Sequence, residues 1–244
     1  MSDSNGAVRL EDSIERMLSA GRLLLWILLP LMIAALYGMF IHAPTERVMG
    51  EVQRLFYFHM GSAVAAFAAF FLVFAAGSIY LWKGSMIWDR VALSSVECGI
   101  LFTSIVLATG PVWARPVWNT WLPLGDPRVM TTLVLWLIFV AYLILRASLP
   151  EGEKKYRICA VYGIIGFLDV PIVFMSIRWW RTIHPVIISG EGLALEGGMK
   201  TALFLAVGSS LALLTVLVLL RASILLLGDV FFQLDNGFPG DCEK

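Results

Sequence analysis

Apolar and polar positions alternate along this chain in long blocks. A bilayer's hydrocarbon core, ~30 Å thick, is spanned by about 20 consecutive apolar residues in a helix. Runs of that size occupy Arg22 to about His42, then about 57–82, 91–112, 129–147, 157–178 and 201–221. The pattern predicts an all-α integral membrane protein with six transmembrane helices. The first run is longer than the roughly 7–15 residues of a signal peptide's apolar core, and no small-x-small cleavage site follows it. It is expected to remain attached as the first span. Before it, Leu10, Ile14, Met17 and Leu18 recur at helical spacing while Glu11, Asp12, Glu15 and Arg16 fall between them. That spacing predicts a short interfacial helix. No low-complexity segment or fixed-period repeat interrupts the blocks. The expected organisation is an N-terminal interfacial segment at 1–21, a single membrane domain at 22–228 with outer loops at 113–128 and 179–198, and an inner tail at 229–244.

Composition agrees with the pattern. At 59% hydrophobic and 15% charged residues, the 244-residue chain is too apolar for a soluble domain of that length. Eighteen basic residues balance eighteen acidic ones, so bulk charge gives no reason to expect nucleic acid as a partner. The partner that composition does imply is the lipid bilayer. Orientation follows from the basic residues near helix ends. Arg9, Arg16, Arg22, Lys83, Arg90, Arg146, Lys154, Lys155, Arg157, Arg221 and Lys244 lie on the side of the termini, against Arg47, Arg54, Arg115, Arg128, Arg178, Arg181 and Lys200 on the other. Both termini are therefore expected inside, in a multi-pass protein. Cys98, Cys159 and Cys242 are far apart, with neither CxxC spacing nor a pairing framework, and read as packing residues.

The stretch Trp113 to Arg128, WARPVWNTWLPLGDPR, concentrates aromatic, proline and charged residues between two apolar runs. Its prolines are expected to prevent a regular helix and to leave a stiff outer loop. Two readings stay open. The tryptophans form an interfacial belt, or they form a platform for a large flat apolar ligand whose anionic groups meet Arg115 and Arg128. The three histidines fall on the same side: His42 at the end of the first span, His59 about a turn inside the second, and His184 in the loop after the fifth. Neutral imidazole is a common ligand of haem iron, and histidines from two helices would fill both axial positions. Trp180 stands four residues before His184, and Arg54 five before His59. With Arg178 and Arg181, which flank the Trp179–Trp180 pair, Arg54 suggests a basic rim for carboxylates.

These residues resemble the haem exporter protein C family of cytochrome c maturation. The resemblance runs from about residue 20 to 225 and rests on three segments matching in order and approximate spacing: His59 with Arg54, PVWNTW with Asp126 and Arg128, and WWRTIHP with His184. Within the tryptophan motif, Asn119 stands where the family has glycine, and Leu122 and Leu124 where further tryptophans are expected. The resemblance implies that His59 and His184 are the axial ligands of a haem b carried as cargo at the outer face. It implies that Trp113, Trp118, Trp121 and Asp126 form the haem platform, and it makes Arg54 and Arg128 propionate candidates. It further implies delivery to a periplasmic, CcmE-like haem chaperone. The partners would be an ABC-type ATPase and a second membrane subunit (CcmA-like and CcmB-like) and a small CcmD-like membrane peptide, in the cell inner (plasma) membrane. No enzymatic reaction is required of the chain. The rivals are a haem-containing electron-transfer subunit, which would usually place histidines across the bilayer, and a permease whose tryptophans are only a belt.

Two acids lie within the spans, Glu97 in the third and Asp169 in the fifth, where an unpartnered ionisable group costs several kcal/mol. Both are expected to be neutral or partnered, Asp169 in connection with the backbone break at Pro171. The topology is tested by cysteine labelling in intact cells or spheroplasts. A cysteine substituted at Thr120 should react with a membrane-impermeant thiol reagent and one at Gly152 should not; the reverse pattern would invert the orientation.

Overall fold

The structure, a computed structural model, describes residues 2–47, 49–119, 121, 124–180, 188–189, 192–193 and 195–237. Its helices are α1 (Ser2–Tyr37), α2 (Gln53–Lys83), α3 (Met86–Trp118), α4 (Pro127–Ser148), α5 (Glu153–Phe167), α6 (Asp169–Trp179) and α7 (Gly197–Gly237). One π-helical turn, Gly38–His42, extends α1, and a short antiparallel pair, β1 (Ile188–Ser189) with β2 (Gly192–Leu193), precedes α7. Six stretches are long and apolar enough to cross a membrane: α1, α2, α3, α4, α5 with α6, and α7. Each predicted span falls within one of them. We call the end of the bundle at the α3–α4 connection the tryptophan face and the opposite end the terminal face.

Three boundaries differ from the pattern's expectation. First, α1 runs unbroken from Ser2 into the membrane, with no separate interfacial helix at 1–21. Ile14 is buried and Gly21 packs on Leu220 of α7, so the contact with α7 reaches N-terminal to the apolar run. Second, α3 does not stop at the prolines but runs through Pro111 and Pro116 to Trp118. A proline removes one backbone donor and bends a helix, while abandoning the helix near hydrocarbon would strand many more polar groups. Third, the fifth span is two helices. Pro171 has no N–H for the carbonyl of Phe167, and the chain turns at Leu168 between α5 and α6.

Packing is tightest around α2. A Cβ on Gly99 of α3 would lie 2.5 Å from the Phe70 ring, and one on Gly61 of α2 would lie 2.6 Å from Ser210 Oγ of α7. Glycine at both positions lets the backbones close in, as small residues do between membrane helices. Phe70 in turn stacks on Phe139 of α4 at 4.0 Å, and Val73, Val96, Leu135 and Tyr142 complete a buried core. The hydroxyls of Ser94, Ser95, Thr103 and Ser104 donate to carbonyls one turn back along α3, and Ser104 Oγ also accepts from Trp136 Nε1 of α4 at 2.9 Å.

Charge is gathered at the terminal face. Arg146 of α4 grips buried Asp89 of α3 with two donors, one at 2.9 Å, and Arg90 grips Asp229 of α7 with two, each at 2.7 Å. Both guanidinium groups lie over the ring of Tyr156 from α5, at 5.3 and 5.5 Å. Just beyond this region, at the edge of the bilayer, Lys155 and Tyr156 hydrogen-bond the Glu151 carboxylate and hold its pKa below the ordinary value, chiefly through Lys155. Deeper in, Glu97 is partnered as expected, by a two-point ion pair with Arg221 of α7.

Desolvated pairs like Asp89–Arg146 add little net stability, but removing one partner strands a buried charge at a cost of about 3–5 kcal/mol. Asp89→Ala should therefore lower the detergent unfolding temperature, followed by circular dichroism, much more than the Asp89→Leu/Arg146→Met double variant. Equal losses would show that the pair is only peripheral.

Candidate functional site

Along α2, Phe56, His59, Met60, Ala63 and Phe67 recur every three or four residues and so share one stripe. That stripe faces Thr103 and Val106 of α3, Arg128, Thr132 and Leu135 of α4, and Val173, Phe174, Ile177 and Arg178 of α6. The four helices enclose a cleft of about 1110 Å³, its open mouth included. Its walls are mostly apolar. Among the described residues its strongly polar groups are one imidazole and two guanidinium groups.

His59 is held from behind. Its Nδ1 lies 2.9 Å from Thr109 Oγ1, and that hydroxyl's hydrogen is directed at the Ile105 carbonyl 2.7 Å away. The hydroxyl therefore accepts from Nδ1–H, which places the imidazole lone pair on Nε2. A ring oriented by a hydrogen bond at one nitrogen is the usual arrangement for a metal-binding histidine. Nothing local in the sequence joins Thr109 to a residue fifty positions earlier, so sequence reasoning missed it.

Arg128 enters the cleft from the first turn of α4. Asp126 caps that helix: its Oδ1 accepts from the Arg128 N–H at 3.0 Å, and Pro127 follows at the first helical position. Asp126, expected in the platform, thus has a local duty that fixes where Arg128 begins. Arg178 comes from the last turn of α6 with its guanidinium 5.8 Å above the Phe174 ring. Among the described residues neither arginine forms an ion pair.

The other expected site residues are placed differently. Arg54 is five positions from His59, about 140° round the helix, so it faces away from the cleft. It donates to the Glu51 carboxylate and the Met39 carbonyl, tying α2 to the end of α1. Together with Thr45, it holds the Glu51 carboxyl below its ordinary pKa. His42 is exposed and does not line the cleft. Trp121 is 62% exposed and lies 5.8 Å from the Arg115 guanidinium. The backbone at Trp113 and Trp118 is helical; their side chains, and His184 and Arg181 altogether, lie outside the described residues.

Asn119 ends α3 in the left-handed conformation, with φ at 54°. Only glycine adopts this freely, and asparagine is among the best of the rest. Arg115 locks the turn by donating to the Asn119 carbonyl at 2.8 Å and to its Oδ1 at 2.7 Å. Asparagine at this position thus tolerates a backbone that glycine would also adopt.

Compared with known proteins, residues 9–229 match the family described as heme exporter protein C. The chain belongs to the haem exporter protein C family. It is 30% identical over 143 residues to the Escherichia coli K12 heme exporter protein C, covering 58% of each chain. It is 26% identical over 191 residues to a ccmC-like mitochondrial protein of cytochrome c biosynthesis from Marchantia polymorpha, covering 78% of this chain and 80% of that one. The Rhodobacter capsulatus heme exporter protein C is 25% identical over 189 residues, 76% of each chain. Family membership and six membrane-crossing stretches make this a multi-pass membrane protein associated with haem handling in cytochrome c maturation.

The tautomer is directly measurable. In protein labelled with nitrogen-15 histidine, His59 should show the Nδ1-protonated pattern. Thr109→Val should abolish that preference and Thr109→Ser preserve it; an Nε2-protonated parent would refute the assignment.

Proposed function

We propose that this protein binds haem b as cargo in the cleft at the tryptophan face and passes it to a periplasmic haem chaperone of the CcmE kind. The observation that carries this reading is the convergence of an anchored imidazole and two arginines on one apolar-walled cleft. The donor set fits the cargo. Nε2 of His59 suits ferric or ferrous iron, Arg128 and Arg178 suit propionates, and the aromatic and aliphatic walls suit the macrocycle. His184 is the second ligand in this reading, supplied from the segment after α6. Asp126 and Thr109 act one step back, setting the positions of Arg128 and His59. Trp113, Trp118 and Trp121 present the edge of the cargo to the acceptor.

Family membership supports a place in a maturation complex of the inner membrane. In this proposal the tryptophan face is periplasmic and the termini are cytoplasmic. The partners are an ABC-type ATPase, a second membrane subunit and a small membrane peptide of that system. The chain's own residues bind, orient and release; no bond of the cargo is made or broken by them.

Absorption spectra of purified protein with added haem test the reading. The parent should give a six-coordinate, low-spin spectrum. His59→Ala or His184→Ala should each open one axial position, with partial restoration by imidazole, and the double variant should lose nearly all binding, while His42→Ala changes little. Arg128→Gln or Arg178→Gln removes a charge-assisted contact worth about 1.5–3 kcal/mol, roughly ten- to a hundred-fold in affinity. An unchanged spectrum in the histidine double variant would sink the ligand assignment, and a parent that ignores haem would sink the function.

A further inference from the structure

The interruption of the fifth span separates two halves of the membrane that are packed very differently. Toward the terminal face, α5 lies against α2. A Cβ on Gly163 would lie 2.8 Å from Val73 Cγ1, one on Gly77 would lie 3.3 Å from the Ala160 carbonyl oxygen, and Phe74 stacks on Phe167 at 4.9 Å. Past Leu168 the chain is redirected. α6 packs against α4 and hardly against α2. In the half of the membrane nearer the tryptophan face, α2 and α6 therefore stand apart, and the cleft occupies the space between them.

We propose that the gap between α2 and α6 is a lateral portal. Through it, a planar amphipathic molecule with anionic groups passes from the leaflet at the tryptophan face sideways into the cleft. The inference rests on the haem reading above and adds the route.

Three observations support it. The lining of α2 runs from Phe56 to Phe67, a rise of roughly 16 Å, which matches the ~15 Å half-thickness of the hydrocarbon core. With its mouth at the headgroup boundary, a cleft of that depth ends near the bilayer midplane. Past the deep end of that lining, Phe71 and Phe74 of α2 close on Phe167 at the end of α5, at 6.0 and 4.9 Å. That contact seals the gap toward the other leaflet. Polarity is graded along the depth, with His59, Arg128 and Arg178 near the headgroup end and Phe67, Leu135 and Val173 below. A lipid-dissolved amphiphile already lies with its charges at the headgroups and its apolar body beneath. It could move in sideways without reorienting and without taking its carboxylates through hydrocarbon. Half-exposed Phe174 flanks the opening.

Two measurements on the full-length protein in phospholipid vesicles decide the matter. In the first, haem is either dissolved in the protein's own vesicles or supplied on albumin in the water, and Soret absorbance reports uptake. The parent should fill rapidly from the membrane, and Ala63→Trp, which plugs the cleft from the α2 side, should lose that rapid phase. Uptake faster from albumin than from the membrane, or a rapid phase retained by Ala63→Trp, would overturn the portal while leaving the haem reading intact. The second measurement needs no haem. A nitroxide on Ala63→Cys, with Cys98→Ala, Cys159→Ala and Cys242→Ser, is compared with one on Trp26→Cys, a lipid-exposed position of α1. Relaxation by oxygen well above that by a water-soluble nickel complex, as at position 26, would support an opening to lipid. Nickel dominance, or access to neither, would overturn it. A parent that takes haem from neither source would sink the haem reading, and the nitroxide would still decide the portal.

Discussion

Pro171 withholds one N–H from the carbonyl one turn before it, and the functional half of the molecule is arranged around that omission. In water the loss would be made good by solvent. In hydrocarbon a backbone polar group must find its partner within the protein, and a helix that loses one of its bonds bends or restarts. Here it restarts, at Leu168, so one span contributes two differently aimed walls. The first is held to α2 by glycine contacts and stacked rings. The second leans on α4 and carries Val173, Phe174, Ile177 and Arg178 into the cleft. Asp169 stands at the restart with its Oδ2 buried and without a hydrogen-bond partner among the described residues.

The two ends of the bundle solve opposite problems. At the terminal face, arginines and aspartates satisfy one another across α3, α4 and α7, with Tyr156 beneath two guanidinium groups. Charge there is neutralised internally and holds helices together. Toward the tryptophan face, Arg128 and Arg178 look into an apolar cleft without an ion pair among the described residues. Arg128 is half-buried and Arg178 exposed, so both are placed to meet the anionic groups of the proposed cargo. Close packing at Gly61 and Gly99 holds α2 against α7 and α3.

The number of spans was legible in the chain, because hydropathy is a local signal. Of the residues singled out from the sequence, His59, Arg128 and Arg178 meet in one cleft, while His184 lies outside the described residues. The local rules misled where long-range packing outweighed them. The prolines of the tryptophan stretch argue for a loop, yet α3 continues through Pro116 to Trp118. Residues 1–21 read as an interfacial helix, yet α7 is long enough to carry them as part of α1. Arg54 looked like a neighbour of His59 in sequence, but five positions on a helix point to opposite sides, and its partners lie at the end of α1. Thr109 was invisible because its meaning depends on a contact between different helices.

The placement of α1 bears on how the protein is made. Its packing surface is almost wholly α7: Gly21 sits on Leu220, and Gly38 on Ala202 and Leu205, an antiparallel pairing of the chain's two end helices. A ribosome delivers α1 well before α7. Until α7 emerges, α1 lacks most of its packing surface, and contacts of such long sequence separation are the slowest to form. The middle helices can assemble meanwhile, since α2 with α3 and α4 with α6 are neighbours in space and close in the chain. Completion of this bundle thus depends on α7, and a chain truncated before α7 would leave α1 without most of its packing surface.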